Sequence, residues 1–175
     1  MLDRARLVFE RLLALVVGSL LITLATIVVV AVIYRRAGHS LVWYDEVASV
    51  LLAWLTYYGA ALAALKRAHI GYTGLVDGLP KHLRVALVLL AEACVIGFFA
   101  LLAWVGWRVL QVLDGLYLIS LPWVPIQLTQ SVIPIGAVLF IIAQLLSLPE
   151  VLRRARAGAP SPGHEAELVE EHARR

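Results

Sequence analysis

Residues 43–70 read WYDEVASVLLAWLTYYGAALAALKRAHI: an acid pair at the entry, an uncharged run from 47 to 65, and a basic exit at Lys66, Arg67 and His69. The meaning of that pattern depends on the solvent around it. About 20 mostly apolar residues, wound as a helix, cross a hydrocarbon core of roughly 30 Å, and this stretch is long enough. Three more runs have the same character. Residues 12–34 and 115–149 carry no charge, and residues 85–107 carry one, Glu92. The whole chain of 175 residues is 62% hydrophobic and 15% charged, whereas soluble domains sit near 45–50% and about 25%. A soluble helical bundle of this composition would have almost no polar surface to present to water. In lipid each run must be a helix, because its backbone polar groups can only bond internally.

The expected fold is therefore an all-α integral membrane protein with four transmembrane helices, at about 12–34, 44–65, 84–107 and 131–149. They form one membrane domain, 1–152. The polar, Pro/Gly-punctuated residues 153–175 read as a disordered cytoplasmic tail. Arg4, Arg6 and Arg11 resemble the start of a secretory signal, but the apolar run behind them is too long and no A-x-A-like site follows, so the first span is expected to be retained. Cys94 is the only cysteine, so no internal disulfide can form.

Lys and Arg sort by loop. Arg4, Arg6 and Arg11 precede span one; Lys66, Arg67, Lys81 and Arg84 lie between spans two and three; Arg153, Arg154, Arg156, Arg174 and Arg175 follow span four. Only Arg35, Arg36 and Arg108 fall on the opposite side. The positive-inside rule then places both termini and the middle loop in the cytoplasm. Trp43, Tyr44, Trp104, Trp107 and Trp123 gather at the outer interface, the level amphipathic rings prefer. The middle loop, KRAHIGYTGLVDGLPKHLR, is too short and polar to span and is expected to lie in the inner interface. Within the apolar, proline-marked run 113–136, Ser131 is expected to N-cap span four, with Pro134 in the first turn where proline is tolerated. The residues before it are expected to dip into the outer interface or fold back on the bundle.

Two constellations carry the functional reading. Asp45 and Glu46 at the start of span two, and Lys66 and Arg67 at its end, complement the helix macrodipole, worth roughly 0.3–1 kcal/mol per group. Equally, one carboxylate can pair with a cation on another subunit. A stripe of small residues, Ser49, Ala53, Thr56, Ala60 and Ala63, with Gly59 adding a small-xxx-small pair with Ala63, allows close helix approach, within the chain or against a partner. Trp43, Asp45, Glu46, Ser49, Ala53, Thr56, Gly59, Ala60 and Ala63 are thus the candidate partner interface. Trp104, Trp107, Trp123, Lys66 and Arg67 are candidate interface anchors.

The second constellation surrounds Glu92, the only ionisable residue inside a span. A charge at that depth costs roughly 3 kcal/mol on insertion scales and is a functional hypothesis by default. Glu92 lies eight residues from Arg84. Eight residues from Arg11 and Lys66 fall Ser19 and Tyr58, and eight from Arg153 falls Leu145, next to Gln144. Ser19, Tyr58, Glu92 and Gln144 are expected to share a polar layer that glues four helices together. Contact with a partner protein, or a coupling role in transport, are the other uses open to Glu92.

Enzyme chemistry finds no footing. His39, His69 and His82 lie in loops and His164 and His172 in the tail, so no histidines face each other within spans to hold a haem. No metal cluster, nucleophile elbow or phosphate-binding glycine loop is legible, and no cofactor is expected. The basic residues sit beside spans rather than on one face, which gives no nucleic-acid surface; the membrane lipid is the expected surrounding partner. Four uninterrupted spans also lack the midplane break from which substrate sites are built.

Several segments together resemble the small membrane subunit of tripartite ATP-independent periplasmic (TRAP) transporters, the DctQ-like family. They are VIYRRAGHSLVWYDEVASVLLAWLTYYGAALAALKRAHI across the end of span one and all of span two, GLP at 78–80, SLPW at 120–123 and IPIG at 133–136. The shared pattern is an aromatic-then-acid entry to span two with the acid at Glu46, a Gly59–Ala60 pair, a basic-His-Ile exit and a Pro-x-Gly opening of span four. The resemblance covers roughly residues 10–150. It implies a multi-pass protein of the bacterial inner membrane and a stator role beside a large multi-span permease subunit that moves as an elevator. It also implies sodium-coupled uptake of an organic acid, a C4-dicarboxylate or similar carboxylate, delivered by a periplasmic substrate-binding protein. Substrate contacts would then lie on the other subunits, so none are assigned here. A different class of reading is a self-contained four-span exporter that uses Glu92 as a proton-coupled site.

Overall fold

The computed structural model describes residues 2–66 and 80–157. Most of the segment expected to lie in the inner interface, including Arg67 and His69, and nearly all of the expected tail, lie outside the described residues. Four helices are long and apolar enough to cross a membrane, and the described residues contain no strand beyond one isolated bridge. They are α1 (Leu2–Arg36), α2 (Tyr44–Lys66), α3 (Lys81–Val112) and α5 (Val132–Ala157), with a single-turn α4 (Ile126–Gln130) just before the last.

The helices extend past the expected spans, most clearly α1, which begins ten residues before residue 12. Hydrocarbon thickness limits the apolar part of a helix and not the helix itself. Pro149 marks the expected end of span four but lies inside α5; it has no N–H to give the helix, yet the helix continues through it. Ser131 stands directly before α5, as expected, and its carbonyl accepts the first helical bond from the Ile135 N–H, but its hydroxyl donates back to the Leu128 carbonyl at 2.7 Å, at the close of α4, and is not seen capping α5. Pro134 still occupies the first turn of α5, where its missing donor costs nothing.

The helices form a row rather than a closed bundle. Their main contacts run α1 to α2, α2 to α5 and α5 to α3. In the most apolar stretch of α5, 44% of residues are buried, against 6% in α1 and in α3, which places α5 inside the row and α1 and α3 at its edges. Contacts fix the directions. Phe99 stacks on Phe140 at 3.7 Å, Gln144 bonds Glu92, and Gly106 abuts Ile133 and Pro134, so α3 and α5 are antiparallel. Trp54 meets Thr129 and Tyr57 meets Gly136, so α2 and α5 run the same way. Arg6 reaches the carbonyl of Leu65, and Arg35 lies against Tyr44, so α1 and α2 are antiparallel.

Two glycines set the spacing at the centre of the row. A Cβ on Gly136 would stand 2.7 Å from Tyr57 Cβ, and one on Gly106 would stand 2.9 Å from Ile133 Cγ2. Glycine thus lets both neighbours of α5 approach at backbone distance, as small residues do where lipid competes with every apolar contact. The core lies toward one end of the row, where Leu13, Ala61, Ala64, Leu65, Phe140 and Ala143 are buried together.

Candidate partner interface and polar layer

The row has a basic end, with Arg4, Arg6, Arg11, Lys66 and Arg153, and an aromatic end, with Trp43, Trp104, Trp107 and Trp123. At the aromatic end residues 116–126 fold back as a small hairpin. Ile126 donates to Leu116 at 2.9 Å and Leu118 donates to Val124 at 3.0 Å, after a turn at Gly115 with φ +78°. Positive φ is open to glycine because it has no Cβ to clash. The two successive N–H groups at the hairpin tip, of Ile119 and Ser120, point at the Glu46 carboxylate at 3.1 and 2.9 Å, and the Ser120 hydroxyl donates to it as well. Consecutive backbone N–H groups make a natural anion cradle. Glu46 therefore holds this chain's own loop, and the two carboxylates at the entry of α2 separate in role. Asp45 stays exposed; its backbone carbonyl accepts from the Ser49 hydroxyl at 2.7 Å, and its carboxylate has no hydrogen bond or ion pair among the described residues.

Further polar contacts fix the same end. Trp54 donates its indole N–H to the Thr129 carbonyl at 2.9 Å, and Gln127 donates to the Leu110 carbonyl and to Asp114. α4 is thereby tied to both α2 and α3. Neither Trp54 nor Gln127 was marked in the sequence, where both sit in apolar runs; an indole needing a partner at membrane depth is the signal available for Trp54.

Along α2 the small-residue stripe changes character. Ser49, Ala53 and Thr56 are exposed, and the Ser49 and Thr56 hydroxyls bond carbonyls of their own helix. With these hydroxyls satisfied internally, this face shows a neighbour a dry surface of small side chains around the exposed Leu52. Trp43 beside it is also exposed. Gly59, Ala60 and Ala63 are half-buried, and Gly59 has open space where a Cβ would stand. The fully buried alanines of α2 are Ala61 and Ala64, one position along from the stripe.

Of the four residues expected in a polar layer, the structure brings two together. Gln144 donates to the Glu92 carboxylate at 2.5 Å, with both side chains buried between α3 and α5. Ser147, fully buried one turn on, donates to the Gln144 carbonyl at 3.0 Å. Tyr58 packs instead against the apolar core, with its ring 6.4 Å from Trp54. Ser19 is exposed and donates to Val16 of its own helix. For Ser19 the reason is lateral, since α1 and α3 occupy opposite edges of the row; Tyr58, on α2 beside α5, turns its ring to the apolar core instead.

The expected anchors are placed at both ends. Trp104, Trp107 and Trp123 are largely exposed, and the Arg108 guanidinium lies over the Trp104 ring, 5.9 Å from its centre. At the basic end Lys66 pairs with Glu10 at 3.2 Å. Arg6 pairs with Glu150 at 2.6 Å and donates to the Leu65 carbonyl, joining α1, α2 and α5. Such pairs are about a third exposed or more and each is worth roughly 0–1 kcal/mol in water. Among the described residues no group of three or more His, Cys, Asp or Glu could hold a metal ion.

No curated protein matches the chain. A family described as tripartite ATP-independent periplasmic transporters, DctQ component, matches residues 24–154, three quarters of its length. The match begins in α1 and takes in α2, the Glu46-bound hairpin, the Glu92–Gln144 pair and nearly all of α5. Four spanning-length helices and that match together establish that the chain belongs to the DctQ family, the small multi-pass membrane component of TRAP transporters and not a family of enzymes.

Proposed function

We propose that this chain is the stator of a sodium-coupled, binding-protein-dependent uptake system for an organic acid, a C4-dicarboxylate or a similar carboxylate. It lies in the bacterial inner membrane with the basic end, and so both termini, in the cytoplasm. A large multi-span permease subunit carries the substrate and sodium sites, and a periplasmic substrate-binding protein delivers the acid to the complex. The observation that carries this reading is the uncovered stretch of α2, where Asp45, Ser49, Ala53 and Thr56 face outward while Ala61 and Ala64 of the same helix are fully packed. A dry face of small side chains is suited to a second helix at close range, and Asp45 at its rim supplies a charge for a cation on the partner.

The row also suits a part that stays still while another moves. Contacts at three depths tie neighbouring helices: the Glu46 cradle at one end, the Glu92–Gln144 pair within the bilayer, and the Arg6 contacts at the other end. In this reading Glu92 is structural glue, its side chain bonded to Gln144 and enclosed by two helices.

Reconstitution tests the proposal. Alone in liposomes the chain transports nothing; with the large subunit and the binding protein, carboxylate uptake follows a sodium gradient. Glu92→Gln, which keeps a bonding partner for Gln144, leaves assembly and uptake within about twofold of the parent, as expected for a surviving buried hydrogen bond. Transport by the isolated chain, or loss of uptake in an assembled Glu92→Gln complex, would return the exporter or coupling readings.

A further inference from the structure

We propose that the hairpin tip forms the outer end of the surface that takes the large permease subunit, with Ile119 as its anchoring side chain. The inference rests on the reading of the open stretch of α2 as the partner's face and adds a loop contact to it. Glu46, Ser49, Ala53 and Thr56 are spaced three and four apart, which sets them on one side of α2. Ser49, Ala53 and Thr56 lie exposed along that side. At its head the Glu46 carboxylate holds the Ile119 and Ser120 N–H groups at 3.1 and 2.9 Å. The tip is thereby pinned at the outer end of the same side of α2 that carries the open stripe.

Three properties of the tip fit cover by protein. Ile119 is 94% exposed, the most of any large hydrophobic side chain among the described residues. It stands at the charged rim beside Asp45 and Glu46, where water reaches apolar surface and covering it is favourable, as it is not deep in hydrocarbon. The side chain is also held ready. Both tip N–H groups and the Ser120 hydroxyl are bonded to Glu46, and a β-branched side chain has few χ1 choices, so docking costs little further freedom. Finally, the tip's donors already have an acceptor from within the chain. Hydrated headgroups could serve those donors at a lipid surface, whereas under a protein partner an internal acceptor keeps them satisfied. The occupant is a helix of the large subunit lying along the stripe, with an aliphatic hollow for Ile119 and a cation for Asp45 at its outer end.

Photocrosslinking in intact membranes that contain the large subunit and the binding protein tests the contact. A diazirine side chain at position 119 should capture the large subunit, and so should one at position 53 in the stripe. Capture of the large subunit at 53, but of lipid or the binding protein at 119, would overturn the tip contact and leave the α2 face standing. Failure to capture it at either position would remove both. Ile119→Ser should lower recovery of the large subunit in co-purification about tenfold, the lower end of what burying an isoleucine side chain gives, with amide exchange at Ser120 as in the parent. Glu46→Ala frees the tip but keeps Ile119, so it should cost recovery less, within about threefold. Equal recovery of the large subunit with Ile119→Ser would overturn the anchor. If Ile119→Ser does not accumulate, the capture at 119 decides alone.

Discussion

The two halves of α2 are built from the same kinds of residue and meet different fates. Toward the basic end Ala61, Ala64 and Leu65 are wholly buried, enclosed with Leu13 of α1 and with Phe140 and Ala143 of α5. Toward the aromatic end Ser49, Ala53 and Thr56 stand uncovered. Small side chains permit close approach in both places, but only toward the basic end do they pack against helices of this chain; toward the aromatic end Trp54 and Tyr57 make the contacts instead and the small face stays open. A small residue thus sets how near a helix can come, and the surrounding fold decides which helix does.

Enlarging the packed half should do the most damage. Ala64→Phe forces a ring into a site with no free volume, and overpacking of that kind costs about 1–3 kcal/mol or more. Thermal unfolding in detergent should show a clearly lower midpoint, and a normal midpoint would mean that the two halves are not different after all. Ala53→Leu should leave that midpoint where it is, since surface substitutions usually act within about 0.5 kcal/mol. It should instead lower recovery of the large permease subunit in co-purification about tenfold. Equal recovery would place the partner on another face.

Glu46→Ala acts at the rim of the uncovered half, on a contact made within the chain. Hydrogen exchange at the Ile119 and Ser120 amides should quicken about threefold or more once their acceptor is gone, while exchange in the buried half of α2 stays constant. Asp45→Asn should leave both amides untouched. If Glu46→Ala changes partner recovery more than amide exchange, Glu46 belongs to the partner after all and the division of labour between the two acids fails.

Much of this is legible in the sequence. The four spans follow from run length, because a bilayer imposes one thickness on every helix that crosses it. Glu92 stands out as the only ionisable residue within a span, and a count from the basic rims then falls one residue from Gln144, because charged rims share a level. The same count also picked Ser19 and Tyr58, and there it stopped being informative. Depth is a coordinate along the membrane normal, and runs of apolar residues carry little record of lateral order when lipid and protein are equally oily. Asp45 and Glu46 read equally as complements to the helix dipole and as a charge for a partner's cation; the cradle of Ile119 and Ser120 N–H groups around Glu46 lies more than 70 residues away along the chain and is made by backbone groups, which no side-chain pattern reports.

The chain alone determined how many helices cross, where their apolar cores lie, and which family it belongs with, since hydrocarbon thickness and motif order are one-dimensional quantities. Tertiary structure decided that the helices stand in a row with α5 inside, that Gly106 and Gly136 set its spacing, and that part of α2 is left for something else. Those outcomes depend on which surfaces fit at backbone distance, and fit is a property of two surfaces brought together.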